Sequence, residues 1–361
     1  MNATERAARI LMVGFRGTEL PPDLAEDLGA GRLAGVVLFR RNLPDADGAV
    51  RLCRTLTAAH ARTLIAVDQE GGRVQRLRAP FPELPPMAEV GRTRRKTVAR
   101  GAGALLGKGL RHVGVHLDFA PVLDVASRPD NPAIGDRSFG SDPSRVARLG
   151  AAFIDGIQSE GVAACAKHFP GHGDTGVDSH RVLPSVDRSL DELRHRELVP
   201  FRSAVAADVA AMMSAHVRYP AVDPAPATLA ARWLRDELRS ELRFEGLVVS
   251  DDLEMGALAG PLEGSAVAAL AAGCDLLLVC SRSERRWQVA GAIAEAVAEG
   301  RLSELRLDAA LARVEAFKDR WVRPPQPSTW VELERERQAL WAMADLGPGT
   351  AGPDPTEGGR G

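Results

Sequence analysis

Leu247-Val248-Val249-Ser250-Asp251-Asp252-Leu253-Glu254-Met255 has the pattern of a buried β-strand that runs out into carboxylates. Three apolar residues in a row, with no polar alternation, suit a strand covered on both faces, as in a parallel sheet. The pattern recurs along the first 280 residues. Apolar runs lie at 10–15, 35–39, 64–67, 116–122, 164–169, 210–217 and 275–280, and with 246–249 they number eight. Candidate helices at 45–62, 93–112, 142–160, 189–207 and 228–242 fall between many of them. Several open on Asp, Ser or Thr, whose side chains cap the free N–H groups of a first turn.

Eight strands alternating with helices predict an α/β protein, a (β/α)8 TIM-type barrel in a single domain over residues 1–344. An open doubly wound sheet is the rival, weakened by the lack of a Gly-rich dinucleotide fingerprint. Gly101-Ala102-Gly103 sits inside a helical pattern and reads as close packing. Two further helices are expected at 283–299 and 303–321. Prolines at 324–327 end the barrel, and 330–344 reads as a last helix on its outside. Residues 345–361, rich in Gly and Pro, are expected to be a disordered tail.

Composition narrows the classes of function. The chain has 361 residues, 45% hydrophobic and 26% charged, values of an ordinary globular protein. A net charge of −2 gives no broad basic surface, so neither nucleic acid nor an anionic membrane is expected as a partner. No segment reaches the ~18 consecutive apolar residues of a membrane-spanning helix. Residues 1–15 lack a long apolar stretch after a basic patch, so no secretory leader is expected. Cys53, Cys165, Cys274 and Cys280 form no C-x-x-C pair and read as buried free thiols. A cytoplasmic monomer without cofactor or metal is the expectation.

Polar residues gather where the strands end: Asp68, Asp118, Asp124, Lys167, His168, His216, Asp251 and Asp252. In a barrel that rim is where catalysis sits. An aspartate after a strand also caps the next helix, and for Asp118 and Asp124 that is the preferred reading. The densest segment is Lys167-His168-Phe169-Pro170-Gly171-His172-Gly173-Asp174, continued by Asp178-Ser179-His180, with three of the eight histidines. Its glycines and proline make a loop, which over a barrel mouth can carry an acid/base group. For His172 a purely local hydrogen-bonding role in the turn is an open alternative. His172, Asp174, Asp178 and His180 are also possible metal ligands, but the H-E-x-x-H arrangement is missing, and a metallohydrolase ranks lower.

Asp251 is read as nucleophile, or as stabiliser of positive charge at a sugar C1, with Asp252 in support. In Asp68-Gln69-Glu70-Gly71-Gly72-Arg73-Val74-Gln75-Arg76 the glycines permit a tight turn, so that Asp68 and Arg76 both face the mouth. In Ile134-Gly135-Asp136-Arg137-Ser138-Phe139-Gly140, Arg137 is placed to hydrogen-bond a polar ligand, or else to pin its loop to Asp136. Lysine is rare here (Lys96, Lys108, Lys167 and Lys318), so Lys167 inside a motif asks for a chemical reason.

Taken together, these segments resemble family 3 glycoside hydrolases, specifically the single-domain bacterial β-N-acetylhexosaminidases of the cell-wall recycling type. The similarity covers residues 5–340. The resemblance implies that Asp251 attacks the sugar C1 and forms a covalent glycosyl-enzyme. It implies His180 as acid and base, with Asp178 holding and tuning it. Asp68, Arg76, Arg137, Lys167 and His168 would bind N-acetylglucosamine. The implied ligand is an N-acetylglucosamine-containing saccharide or muropeptide. A histidine suits the acid/base task because, at a reference pKa of ~6.5, both protonation states exist near neutral pH. Ala230 stands where relatives carry Ser. The family also holds β-glucosidases and phosphorolytic relatives, and a non-catalytic sugar-binding protein is the rival outside enzymology.

Overall fold

The computed structural model describes residues 2–179 and 182–346, with Asp354 and Thr356. All eight apolar runs are strands: β1 Leu11–Val13, β2 Gly35–Leu38, β3 Leu64–Val67, β4 Leu117–Asp118, β5 Ala163–Phe169, β6 Ala211–Ser214, β7 Leu247–Asp252 and β8 Leu276–Val279. Each pairs in parallel with its neighbours in chain order, and β8 pairs with β1 to close the barrel. Closure removes both sheet edges, and parallel pairing sends every strand's carboxyl end to the same face. Every residue of the eight strands is buried except Asp251.

The strand around residues 116–122 is shorter than its apolar run. Its ladder is regular only at Leu117–Asp118, because Pro121 has no N–H to donate; one isolated bridge, Val122 to Lys167, continues the pairing. The helix expected over 93–112 is Lys96–Val113, and the one expected over 189–207 is divided. Residue Arg94, at φ 54°, ends Met87–Thr93 before Lys96–Val113 begins. Leu190–His195 and Leu198–Ala206 are separate, and Pro200 falls in the first turn of the second, where a missing N–H costs nothing. The segment expected as a helix over 228–242 is a 3-10 turn, Ala227–Leu229, followed by a π-helix, Arg232–Glu241.

Helices wrap the strands. A Cβ at Gly103 would lie 2.2 Å from the Phe153 carbonyl, so the Gly-Ala-Gly segment is a close crossing of Lys96–Val113 over Pro143–Ser159. Trp330–Ala344 lies against Lys96–Val113 on the outside, as expected. The expected disordered tail falls largely outside the described residues. Within it, Asp354 and Thr356 contact Arg76. Among the described residues, no helix is long and apolar enough to cross a membrane.

Candidate active site

At the carboxyl end of the barrel, Asp68, Arg76, Arg137, Lys167, His168 and Asp251 line one pocket. The six come from five different strand ends and loops, and only the closed barrel brings them together.

The Asp68–Arg76 segment is a hairpin, Gln69–Gly71 against Val74–Gln75. Gly71 and Gly72 turn it at φ 112° and 58°, and a Cβ on Gly72 would meet Pro86 at 2.8 Å. The turn sends Arg76 back beside Asp68, with Nη2 donating to Oδ2 at 3.2 Å. From β5, Lys167 Nζ reaches Asp68 at 2.7 Å and Glu70 at 2.6 Å. Glu70 also takes the guanidinium of Arg137 fork to fork, 2.8 Å at both contacts. Arg137 donates a third bond to the Ala133 carbonyl. A buried chain of alternating charge thus runs Arg76, Asp68, Lys167, Glu70, Arg137.

The chain holds its own ionisation. Burial opposes charge on every member, but the neighbours prevail. Lys167 and Arg137 hold Asp68 and Glu70 below the usual carboxylate range, Glu70 at about 2. Lys167 is held protonated despite its burial, by Asp68 and Glu70.

Asp124 and Asp118 correct the sequence reading, because neither caps a helix. Asp124 is fully buried and organises the histidine loop. It accepts from the backbone N–H groups of His168 (3.2 Å) and His172 (2.6 Å) and contacts His168 Nδ1 at 2.7 Å. Burial alone would raise its pKa, but His168 beside it brings it below the ordinary value. Asp118, at the end of β4, accepts from the Gln69 N–H at 2.9 Å. Burial pushes its carboxyl well above the usual range.

His172 is buried in the turn, between Thr175 (Nδ1, 2.8 Å) and Ser179 (Nε2, 3.0 Å). Burial pushes its pKa down to about 4, so the ring is neutral near pH 7. Asp174 is engaged by Arg188 and Arg196. Of the possible metal ligands, these two already spend their polar atoms on protein partners. Ser179 lines the pocket, and Asp178 beside it is half-buried. His180 lies outside the described residues.

Asp251 is the half-buried residue of β7, at the pocket wall, and it accepts from the Asp252 N–H at 2.8 Å. Asp252 also lines the pocket and accepts from Glu254 N–H (3.1 Å) and Cys280 N–H (3.2 Å), which ties the end of β7 to β8. His216 Nε2 donates to the Asp252 carbonyl at 3.0 Å from the other side. Asp136, the alternative partner for Arg137, pairs with Arg73 instead, at 2.9 Å.

Two contributors had no site role in the sequence reading. Glu70 was legible from strand period: two residues beyond Asp68, it shares that residue's side of the chain. Asp124 carried no local signal, since its partners are 44 and 48 residues away.

A barrel with a carboxylate-rich pocket at the carboxyl ends of its strands defines an enzyme architecture found with many chemistries. The family model described as "Glycosyl hydrolase family 3 N terminal domain" matches residues 4–317. A β-hexosaminidase from Thiobacillus denitrificans is 41% identical over 353 residues, covering 94% of this chain and 95% of the relative. A family 3 β-N-acetylglucosaminidase structure from Paenibacillus sp. str. FPU-7 superposes with a TM-score of 0.87 at 38% identity, over 94% of this chain and 68% of that one. NagZ from Neisseria gonorrhoeae, solved in complex with N-trifluoroacetyl-D-glucosamine, gives 0.73 at 34%, over 86% and 98%. The chain belongs to glycosyl hydrolase family 3, among its β-hexosaminidases.

Proposed function

We propose that this hydrolase releases terminal, non-reducing β-linked N-acetylglucosamine with retention, through a covalent intermediate on Asp251. The observation that carries the proposal is that Asp251 shares one pocket with Asp68, Arg76, Arg137, Lys167 and His168. The charged chain supplies fixed donors and acceptors for ring hydroxyls, and Asp251, on the wall of β7, is a carboxylate able to meet C1. In the first step Asp251 attacks C1 while His180 gives its proton to the departing oxygen. In the second, His180 takes a proton from water as the water attacks C1, and Asp251 leaves as a carboxylate. Asp178 holds and tunes His180.

The substrate we propose is N-acetylglucosamine on 1,6-anhydro-N-acetylmuramic acid, met during cell-wall recycling, and the working form is a monomer. Four buried cysteines with free thiols agree with a cytoplasmic setting.

The test is release of chromogen from an aryl N-acetyl-β-glucosaminide, with an aryl β-glucoside alongside and phosphate present or omitted. Hydrolysis of the first alone, indifferent to phosphate, is expected. Asp251→Ala should lose at least about 10³-fold in kcat. His180→Ala should spare good leaving groups in the first step and penalise poor ones. Equal loss on both would reject the acid role, and cleavage of the glucoside alone would reject the sugar.

A further inference from the structure

We infer that the sugar pocket has a second ligand: the chain's own C-terminal tail, which takes up Arg76 through Asp354 and Thr356. The inference rests on the functional reading only for the identity of the sugar that the tail opposes.

The Arg76 side chain is fully buried, yet its partners come from both ends of the protein. One is Asp68, at 3.2 Å. From the tail come the Asp354 carboxylate, bonded to Nη1, and Thr356 Oγ1, 2.6 Å from Nη2. The two tail residues form a local unit. Asp354 Oδ1 accepts from the Thr356 N–H at 2.8 Å and from its hydroxyl at 2.7 Å. This turn presents a carboxylate and a hydroxyl side by side. Thr356 then lines the pocket together with Asp68, Lys167 and Asp251.

The chemistry is that of a competitor. A sugar brings neutral hydroxyls to a guanidinium. The tail brings one hydroxyl and one carboxylate, and a carboxylate–guanidinium bond is about twice as strong as a neutral one. The helix Trp330–Ala344 ends ten residues before Asp354, so the tail is a tethered ligand. Attachment to the same chain makes its docking intramolecular, so it competes directly with a sugar for Arg76. Substrate must displace the tail, and the apparent affinity falls by the fraction of time the pocket is free. A tail bound between half and nine-tenths of the time raises KM by about 2- to 10-fold.

The experiment compares the full chain with the full-length double variant Asp354→Ala/Thr356→Ala. Calorimetry reads the Kd of N-acetylglucosamine, which needs no turnover, and the chromogenic assay reads KM and kcat. The variant should bind the sugar and the substrate about 2- to 10-fold more tightly at unchanged kcat. Raising salt should bring the parent toward the variant, because the Arg76–Asp354 attraction is screened. A synthetic peptide of residues 347–361, added to the double variant, should bind and raise KM again; the same peptide with both alanines should do neither. Equal Kd values in the two chains, weaker binding by the variant, or no binding of the peptide would overturn the inference. Tighter sugar binding without turnover in either chain would reject the hydrolase reading and leave the tail as a pocket ligand intact.

Discussion

Glu70 and Arg137 meet fork to fork inside the barrel rim, 2.8 Å at each contact, with side chains 2% and 3% exposed. The pair sits under the pocket and sets where Lys167 points, since Glu70 is also 2.6 Å from Nζ. Removing one member of a buried ion pair leaves the other charge unpaid for in a poor dielectric, which costs about 3–5 kcal/mol. Glu70→Ala should therefore lower stability by about that amount in denaturant titration. Glu70→Gln, which keeps the shape and an acceptor oxygen, should lose less. Arg137→Lys should resemble the alanine variant of Glu70 rather than the parent, because an ammonium cannot make the paired contact. Wild-type stability in the Lys variant would refute the role of the fork.

The same network fixes an acid limb. A carboxyl group with a lower pKa folded than unfolded binds fewer protons in the folded state, so protonation favours unfolding. Glu70 is held at about 2 against an ordinary 4.5, and Asp68 and Asp124 are also depressed. Their contribution is complete above about pH 4.5 and is lost as pH falls toward 2. Melting curves should show Tm dropping across that window. The Glu70→Gln curve should start lower at pH 7, fall less steeply, and approach the parent at acid pH. Parallel curves would mean that Glu70 titrates as an ordinary glutamate.

Asp124 fixes both the ring of His168 and the backbone entry of the loop that continues to Ser179. Its Oδ2 meets His168 Nδ1 at 2.7 Å, which orients the opposite ring nitrogen toward the pocket. Asp124→Asn keeps the volume but weakens a bond to a charged group, a loss of about 1.5–3 kcal/mol. Sugar binding should weaken by about 10-fold or more on the same arithmetic. If calorimetry finds N-acetylglucosamine affinity unchanged while Tm falls, Asp124 serves the fold alone.

The contrast between Asp68 and Asp124 shows how far the sequence could be read. Asp68 follows an apolar run directly, so its position at the rim is fixed by β3 itself, and Asp251 is carried to the rim within β7, two residues beyond its apolar run. The eight runs were legible because strands buried on both faces need continuous apolar residues. The partners of Glu70 and Asp124 were not, since 67 residues separate Glu70 from Arg137 and 44 separate Asp124 from His168. Those distances in sequence close only when the barrel does. The break between Leu190–His195 and Leu198–Ala206 is a different case: backbone geometry settled a boundary that side-chain periodicity left smooth.

Asp118 gives the pH experiment of opposite sign. Its carboxyl is fully buried at the end of β4 and, with its pKa pushed well above the usual range by burial, binds a proton more readily folded than unfolded. Below the unfolded pKa, ~3.9, both states are protonated and nothing is lost. As pH rises past that value the unfolded chain releases its proton first, and stability declines until the folded carboxyl also ionises. Asp118→Asn removes the titration and retains an oxygen to accept from the Gln69 N–H. Its Tm should exceed that of the parent by about 1–2 °C at pH 8, for about 1 kcal/mol in a chain of this length. At pH 4 the advantage should vanish. An equal loss of Tm at both pH values would show instead that the site stabilises an ionised carboxylate, with Lys167 as its counter-charge.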